Sequence, residues 1–315
     1  MLEGIGDRKV AVLGHQRPDG DCIGSQMAVA RLLQARGHEV VCLNRDVVPR
    51  VLEAFLGDTV FFQPGDWKGV PSEYVAISTD CADKKRFGPE INELFPEIYG
   101  NIDHHISNSG YAEHNFIIDK AAATAEILAG LFLDEGFTID PVTAQALYIG
   151  IATDTGQFRF GSTTQQVFEI CTRLTQCGAD PAAAAMELYE NESRAKLDLL
   201  QRYLESFEYI CDGKVCLGTL TEADFAESGA TKEDTEGLVD YARSIEGVEI
   251  GVLVEQRDGN IKGSFRAKHP AMAVHELAKQ FNGGGHACAA GFNMDDHTIE
   301  TFLPPLKAAL EAKFA

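Results

Sequence analysis

Short apolar runs alternate with helical stretches through the first half of this chain, and that alternation restricts the fold more than any other feature. Residues 9–13 form a buried-strand run that stops at Gly14. Residues 25–36 follow with helical periodicity and stop at Gly37, a residue suited to the left-handed turn that ends many helices. Further strand runs cover 39–43, 74–79 and 97–102, the last two closing on Asp80 and Asp103. Helical stretches then cover 122–134, 141–152, 163–176 and 181–189. Such alternation predicts an α/β domain over 1–190, built on a parallel sheet with both faces covered.

The second half reads differently. Residues 193–208 are polar, lack Gly and Pro, and carry helix formers, so 191–208 is expected to be a linker helix between domains. Asp212-Gly213 and Asp258-Gly259 each sit between apolar runs, the signal of a tight hairpin. With helical stretches at 231–244, 271–281 and 297–315, residues 209–315 predict a smaller α+β domain. A cleft between the two domains is the expected place for substrate.

Charge limits the partners. The chain has 48 acidic and 27 Lys or Arg residues, a net charge of −21, and therefore repels polyanions at long range. Binding to long duplex DNA is not expected. A short anionic substrate is compatible if metal ions offset the local carboxylates. The 8 cysteines include no C-x-x-C pair and mostly lie in apolar stretches, so they read as buried thiols of a reducing, cytoplasmic protein. No apolar run approaches about 18 residues, and the N-terminus has no basic start leading into an apolar core. Neither a membrane span nor a secretory leader is expected.

Four clusters of metal-type residues stand near strand ends or turns. They are His15-x3-Asp19-x-Asp21, Asp80, Asp103-His104-His105, and Asp154 in Thr153-Asp154-Thr155-Gly156. In open parallel sheets the carboxyl ends of the strands converge on one edge, where loops bring distant residues together. A single His or Asp there is more often a cap or a hydrogen-bonded structural group. Four such clusters in one domain exceed what caps require. They suit two neighbouring divalent ions sharing a carboxylate, an arrangement that clamps a phosphoryl transfer and ionises a water near neutral pH. A ligand set of imidazole and carboxylate without thiolate favours Mn2+, with Mg2+, Co2+ or Fe2+ as alternatives.

These motifs, in this order, resemble the DHH phosphoesterases, a family named for the triplet seen at Asp103-His104-His105. The C-terminal half is similar to the family's DHH-associated domain through Gly283-Gly284-Gly285-His286 and Ala289-Ala290-Gly291. Motif wording and size look most like the branch that trims very short RNA and removes the 3′-phosphate of 3′-phosphoadenosine-5′-phosphate (pAp). The resemblance implies one metal on His15, Asp19 and Asp80, and a second on Asp21, Asp80, His104 and Asp154, with Asp80 bridging. It implies that Asp103 orients the histidines and that His105 serves the substrate phosphate as donor or proton carrier. Ser264, Arg266, Gly283, Gly284, Gly285 and His286 become substrate-binding residues. By themselves, the glycines read equally well as a turn, and Arg266 as a surface charge. Family analogy also points to a homodimer.

Rival readings share the chemistry: hydrolysis of linear or cyclic dinucleotides such as pGpG, a long-strand exonuclease, a manganese pyrophosphatase, and a polyphosphatase. A basic stripe for long strands is missing from the sequence. A nucleotide sensor that binds without turnover is the alternative from another class.

Overall fold

The four apolar runs of the first half become strands of a six-stranded parallel sheet. In the computed structural model, which describes residues 2–314, its strands are β1 (Lys9–Leu13), β2 (Val40–Leu43), β3 (Phe61–Phe62), β4 (Tyr74–Thr79), β5 (Gly100–Asp103) and β6 (His114–Ile117). Their order in the sheet is β3-β2-β1-β4-β5-β6. All neighbours run parallel, with Val10 opposite Val40 on one side of β1 and Val75 on the other. The chain leaves β1 toward β2 and β3, then returns to lay β4 on the opposite side of β1. The carboxyl ends of β1 and β4 therefore flank a topological switch point, where such sheets open a crevice.

Alternation along β1 sends side chains to two faces. Val10 and Val12 join Ile77 and Ile102 beneath helices α1 (Gly20–Ala35), α3 (Thr124–Asp134) and α4 (Pro141–Asp154). Ala11 and Leu13 face the other way, with Phe87, Phe95 and Ile91 of α2 (Pro89–Leu94). Helices α5 (Gln165–Gln176) and α6 (Pro181–Tyr189) complete this unit. Each fully buried Leu, Ile or Val contributes about 1.5–3 kcal/mol over an exposed one. Close helix packing positions the site. A Cβ at Gly24 would lie 2.3 Å from the Ala146 carbonyl oxygen, and one at Gly150 would lie 2.6 Å from the Ala125 Cβ. Glycine lets α1, α3 and α4 touch there, which draws Asp21 toward Asp154.

The chain divides into two units, Met1–Asn191 and Glu192–Ala315. The second holds α7 (Arg194–Glu205), β7 (Glu208–Ile210), β8 (Val215–Leu220), α8 (Glu222–Ser228), α9 (Leu238–Ser244), β9 (Ile250–Arg257), β10 (Asn260–Ala267), α10 (Val274–Lys279), β11 (Gly284–Gly285), β12 (Ala289–Met294) and α11 (Ile299–Phe314). Its sheet runs β11-β12-β10-β9-β8-β7 and is antiparallel except between β8 and β9.

Several elements differ from the sequence reading. Helix α7 packs within the second unit: Leu199 and Tyr203 are fully buried, and the Tyr203 hydroxyl donates to the Val252 carbonyl at 3.0 Å. Its charged neighbours hide this apolar pair, spaced one helical turn apart. The expected helix over 231–244 is interrupted at Gly237, whose φ is +82°, and only α9 is helical beyond it. Strands β3, β6, β11 and β12 carry no apolar alternation strong enough to be read. Among the described residues, no helix is long and apolar enough to cross a membrane.

Candidate metal centre

The ends of β1 and β4 deliver the core of the centre. His15 lies two residues past β1, and its Nδ1 is 2.8 Å from the Gln16 carbonyl oxygen. A carbonyl only accepts, so Nδ1 carries the proton and Nε2 presents a lone pair. That Nε2 is buried without a hydrogen-bond partner, 3.3 Å from Asp80 Oδ2 and 3.8 Å from Asp19 Oδ2. His104 repeats the pattern: its Nδ1 faces the Ala121 carbonyl at 3.2 Å, and its Nε2 lies 3.5 Å from Asp80 Oδ1, 3.1 Å from Asp154 Oδ2 and 4.0 Å from Asp21 Oδ2. Lone pairs thus confront carboxylate oxygens on both sides of Asp80. Only a cation between them, proton or metal, makes such an arrangement favourable.

Asp80 itself sits just past β4 with φ +52°, a left-handed conformation uncommon outside glycine. Its N–H donates to the Ile102 carbonyl at 3.0 Å, which ties this turn to β5. Thr124 donates to its Oδ1 at 3.2 Å. Asp19 is the N-cap of α1: its Oδ1 accepts from the Cys22 N–H at 3.0 Å, leaving Oδ2 toward His15. Asp21 also caps a helix. Its oxygens accept from the Thr124 and Ala125 N–H groups at 2.7 and 2.8 Å, at the first turn of α3. Asp21 is therefore both a structural anion and a member of the cluster.

Burial first, then Asp154, pushes the Asp21 carboxyl up to about 7. Burial likewise holds Asp80 and Asp154 above the usual carboxylate range, with the neighbouring carboxylates adding to it at Asp80. Burial opposes charge on the imidazoles, but Asp154, Asp21 and Asp80 lift His104 to about 10, and Cys22 and Asp19 help lift His15 to about 9. The metal-free cluster thus holds protons that an unfolded chain would release. The folded state binds the extra protons between about pH 4 and 7 through Asp21, and from about pH 6.5 upward through the histidines. Stability of the metal-free protein accordingly falls as pH rises through those windows. Ligands must be deprotonated to bind metal, so Mn2+ binding near pH 7.5 releases protons, those of His15 and His104 among them. Calorimetry in buffers of different ionisation enthalpy measures the number released. Release of none would contradict the assignment of these groups as ligands.

Asp103 behaves oppositely. Burial would raise it, but hydrogen bonds from His105 and Asn108 hold it below the ordinary value. Its Oδ1 accepts from His105 Nδ1 at 2.8 Å and its Oδ2 from Asn108 at 2.6 Å. The resemblance assigned Asp103 to both histidines; in the structure it holds His105, and the Ala121 carbonyl holds His104. Asn108 also donates to Asn101, and the Tyr111 hydroxyl donates to the Cys81 carbonyl, so the turn after the triplet is fixed through β4 and β5.

Arg86 was missed. Its Nη1 lies 3.3 Å from His105 Nε2, and its carbonyl accepts from the Gln16 N–H. This guanidinium joins a site otherwise built from carboxylates and imidazoles. A basic run, Lys84-Lys85-Arg86, soon after Asp80 in an acidic chain is the signal that could have found it.

The residues assigned to substrate in the second unit also come together. Ser264 and Arg266 alternate with the buried Phe265 on β10 and pair with Gly291 and Ala289 of β12. Gly284 pairs with Gly291 from β11. The glycine run is therefore a sheet edge and not a free turn. Gly283 and Gly285 are required by crowding, since a Cβ would lie 2.1 Å from the Gly291 oxygen or 2.5 Å from the Ala289 oxygen. Gly284 has open space around it, and His286 is exposed beside it.

Comparison with known proteins identifies both domains. Residues 9–151 match the DHH family N-terminal domain, and residues 212–314 match the DHHA1 domain. A bifunctional oligoribonuclease and PAP phosphatase NrnA of Thermus thermophilus is 27% identical over 305 residues, covering 96% of this chain and 90% of that protein. A probable enzyme of the same name from Streptococcus mutans is 27% identical over 282 residues, covering 89% of this chain and 87% of its own. An exopolyphosphatase-related protein from Bacteroides fragilis shares the fold, with a TM-score of 0.91 at 24% identity over 98% of this chain and 93% of that one. A DHH domain followed by a DHHA1 domain, with the triplet and its partner carboxylates gathered at one sheet edge, makes this chain a member of the DHH family.

Proposed function

We propose that the chain hydrolyses phosphoric esters at this centre, with very short RNA oligonucleotides and pAp as substrates. The observation that carries the reading is the placement of Asp80, whose two oxygens lie 3.3 and 3.5 Å from the lone pairs of His15 and His104. One carboxylate facing two ligand sets is what a two-ion site needs. His15, Asp19 and Asp80 would hold one ion, and Asp21, Asp80, His104 and Asp154 the other. The donor set favours Mn2+, with Mg2+, Co2+ or Fe2+ as alternatives. When bound, the ions supply a water ionised near neutral pH and neutralise charge on the phosphoryl oxygens.

The chain's own residues do the rest. Asp103 holds His105 by Nδ1, which leaves Nε2 as the atom that carries a proton to the leaving oxygen. In the structure Arg86 Nη1 donates to that Nε2, so His105 takes up its proton when substrate draws the guanidinium onto a phosphate oxygen. In the second unit, Arg266, Ser264, His286 and the open backbone at Gly284 would bind the nucleotide. The names of the relatives from Thermus thermophilus and Streptococcus mutans support the choice of substrates.

A panel of pAp, RNA of graded length, pGpG and pyrophosphate, assayed with Mn2+ and with chelator, tests the proposal. The expected result is metal-dependent release of mononucleotide from dinucleotides and of phosphate from pAp. Binding of either without cleavage would replace it with the sensor reading.

Two substitutions probe the binding groups. Arg86→Gln removes a charge-assisted hydrogen bond worth about 1.5–3 kcal/mol, so KM rises about 10- to 100-fold while bound manganese is unchanged. An unaltered KM would remove Arg86 from the substrate. Arg266→Ala or His286→Ala raises KM about tenfold or more, with turnover within a few-fold of wild type. If neither parameter moves, the second unit does not bind the nucleotide through these residues.

A further inference from the structure

Cys22 is the third residue of α1 and is fully buried, as are other cysteines of this chain. It differs from them in its surroundings. Among the described residues, it is the one cysteine that joins a group of converging ligand atoms: its Sγ, a ring nitrogen of His15 and an oxygen of Asp80 all lie within 4.8 Å of one another. Its neighbour His15 presents the buried, unpartnered Nε2 described above. The Cys22 thiol donates to Gln26 Oε1 at 3.7 Å, and a Cβ on Gly14 would come within 2.5 Å of the sulfur. Backbone at Gly14 thus closes one side of the sulfur, and the ligand cluster occupies another.

We propose that Cys22 is a sulfur donor to the metal position of His15, Asp19 and Asp80, and that it opens this position to thiophilic divalent ions. The inference rests on the metal-centre reading above. On binding, a metal–sulfur bond forms, the S–H bond breaks, and the proton passes to solvent. No oxidant or reductant is involved. A set of one imidazole, two carboxylates and one thiolate is softer than the nitrogen and oxygen set read from the motifs, and ranks Zn2+, Cd2+ and Co2+ well above Mn2+. The second position, built from Asp21, Asp80, His104 and Asp154, gains no such preference. The two positions of one centre therefore differ in the ions they select.

The test is titration of the metal-free, full-length protein with Co2+ and, separately, with Cd2+. The readouts are the visible ligand-field bands of cobalt and the near-ultraviolet thiolate-to-metal charge-transfer band. Wild type is expected to develop the charge-transfer band with the first equivalent of either ion. Cys22→Ser and Cys22→Ala are both expected to lose it while keeping the cobalt ligand-field bands. The affinity for Cd2+ relative to Mn2+ should fall about 10- to 100-fold in the serine variant. Ligand-field bands without any charge-transfer band in wild type would overturn the sulfur donor and leave the metal centre standing. A charge-transfer band that persists in both variants would assign the sulfur to another cysteine and also overturn it. Absence of all cobalt bands would overturn the metal centre itself, and the inference with it.

Discussion

Asp80→Asn is expected to lower turnover of a short RNA by about 1,000-fold or more. The amide keeps the size of the carboxylate but replaces one acceptor oxygen with an NH2 donor, aimed at a lone pair of His15 or His104. Neither ion can then share it, and stabilisation of several kcal/mol in the transition state is lost. The fold should survive. In the metal-free protein, burial and the neighbouring Asp21 and Asp19 carboxylates disfavour charge on Asp80, so a neutral isostere relieves a cost. The metal-free variant should therefore melt above metal-free wild type, while the order reverses in Mn2+. Steady-state kinetics and thermal melts with and without metal check both halves. Turnover within tenfold of wild type would contradict the bridging role.

His105→Gln is the second large effect, about 100- to 10,000-fold on RNA, the span of a positioned proton donor. The loss should depend on the leaving group. A nitrophenyl phosphoester, whose leaving oxygen needs no proton, should recover most of the rate. Asp103→Asn should follow the same pattern more weakly, because the carboxylate acts through the hydrogen bond to His105 Nδ1. Equal losses on both substrates would show that His105 serves the phosphate in the ground state and not the departing oxygen.

Much of the first unit is legible because its central strands are apolar and end at residues with no place in a core. Lys9–Leu13 and Tyr74–Thr79 are read to the residue, and His15 and Asp80 follow from where those runs stop. Strands β3 and β6 escape notice for a physical reason: they lie at the sheet edges, one being Phe61–Phe62 alone and the other mostly exposed. The cluster of His15, Asp19, Asp21, Asp80, His104 and Asp154 is visible as short local motifs. What each member does beyond that depends on groups distant in sequence. Asp21 caps α3 through Thr124 and Ala125, His104 leans on Ala121, and Asp103 shares its oxygens between His105 and Asn108. Arg86 carries no motif of its own and becomes meaningful only when β4 and β5 place it against His105. The second unit is least legible at its sheet edge, where the Gly284–Gly285 strand has no side chains to pattern.

Anomalous diffraction from crystals grown in Mn2+ tests most directly whether two ions meet at Asp80. Two peaks about 3.5–4 Å apart, one beside His15 and one beside His104 with the Asp80 carboxylate between them, are the predicted result. A single peak, or density that leaves Asp80 outside the coordination of either ion, would contradict it.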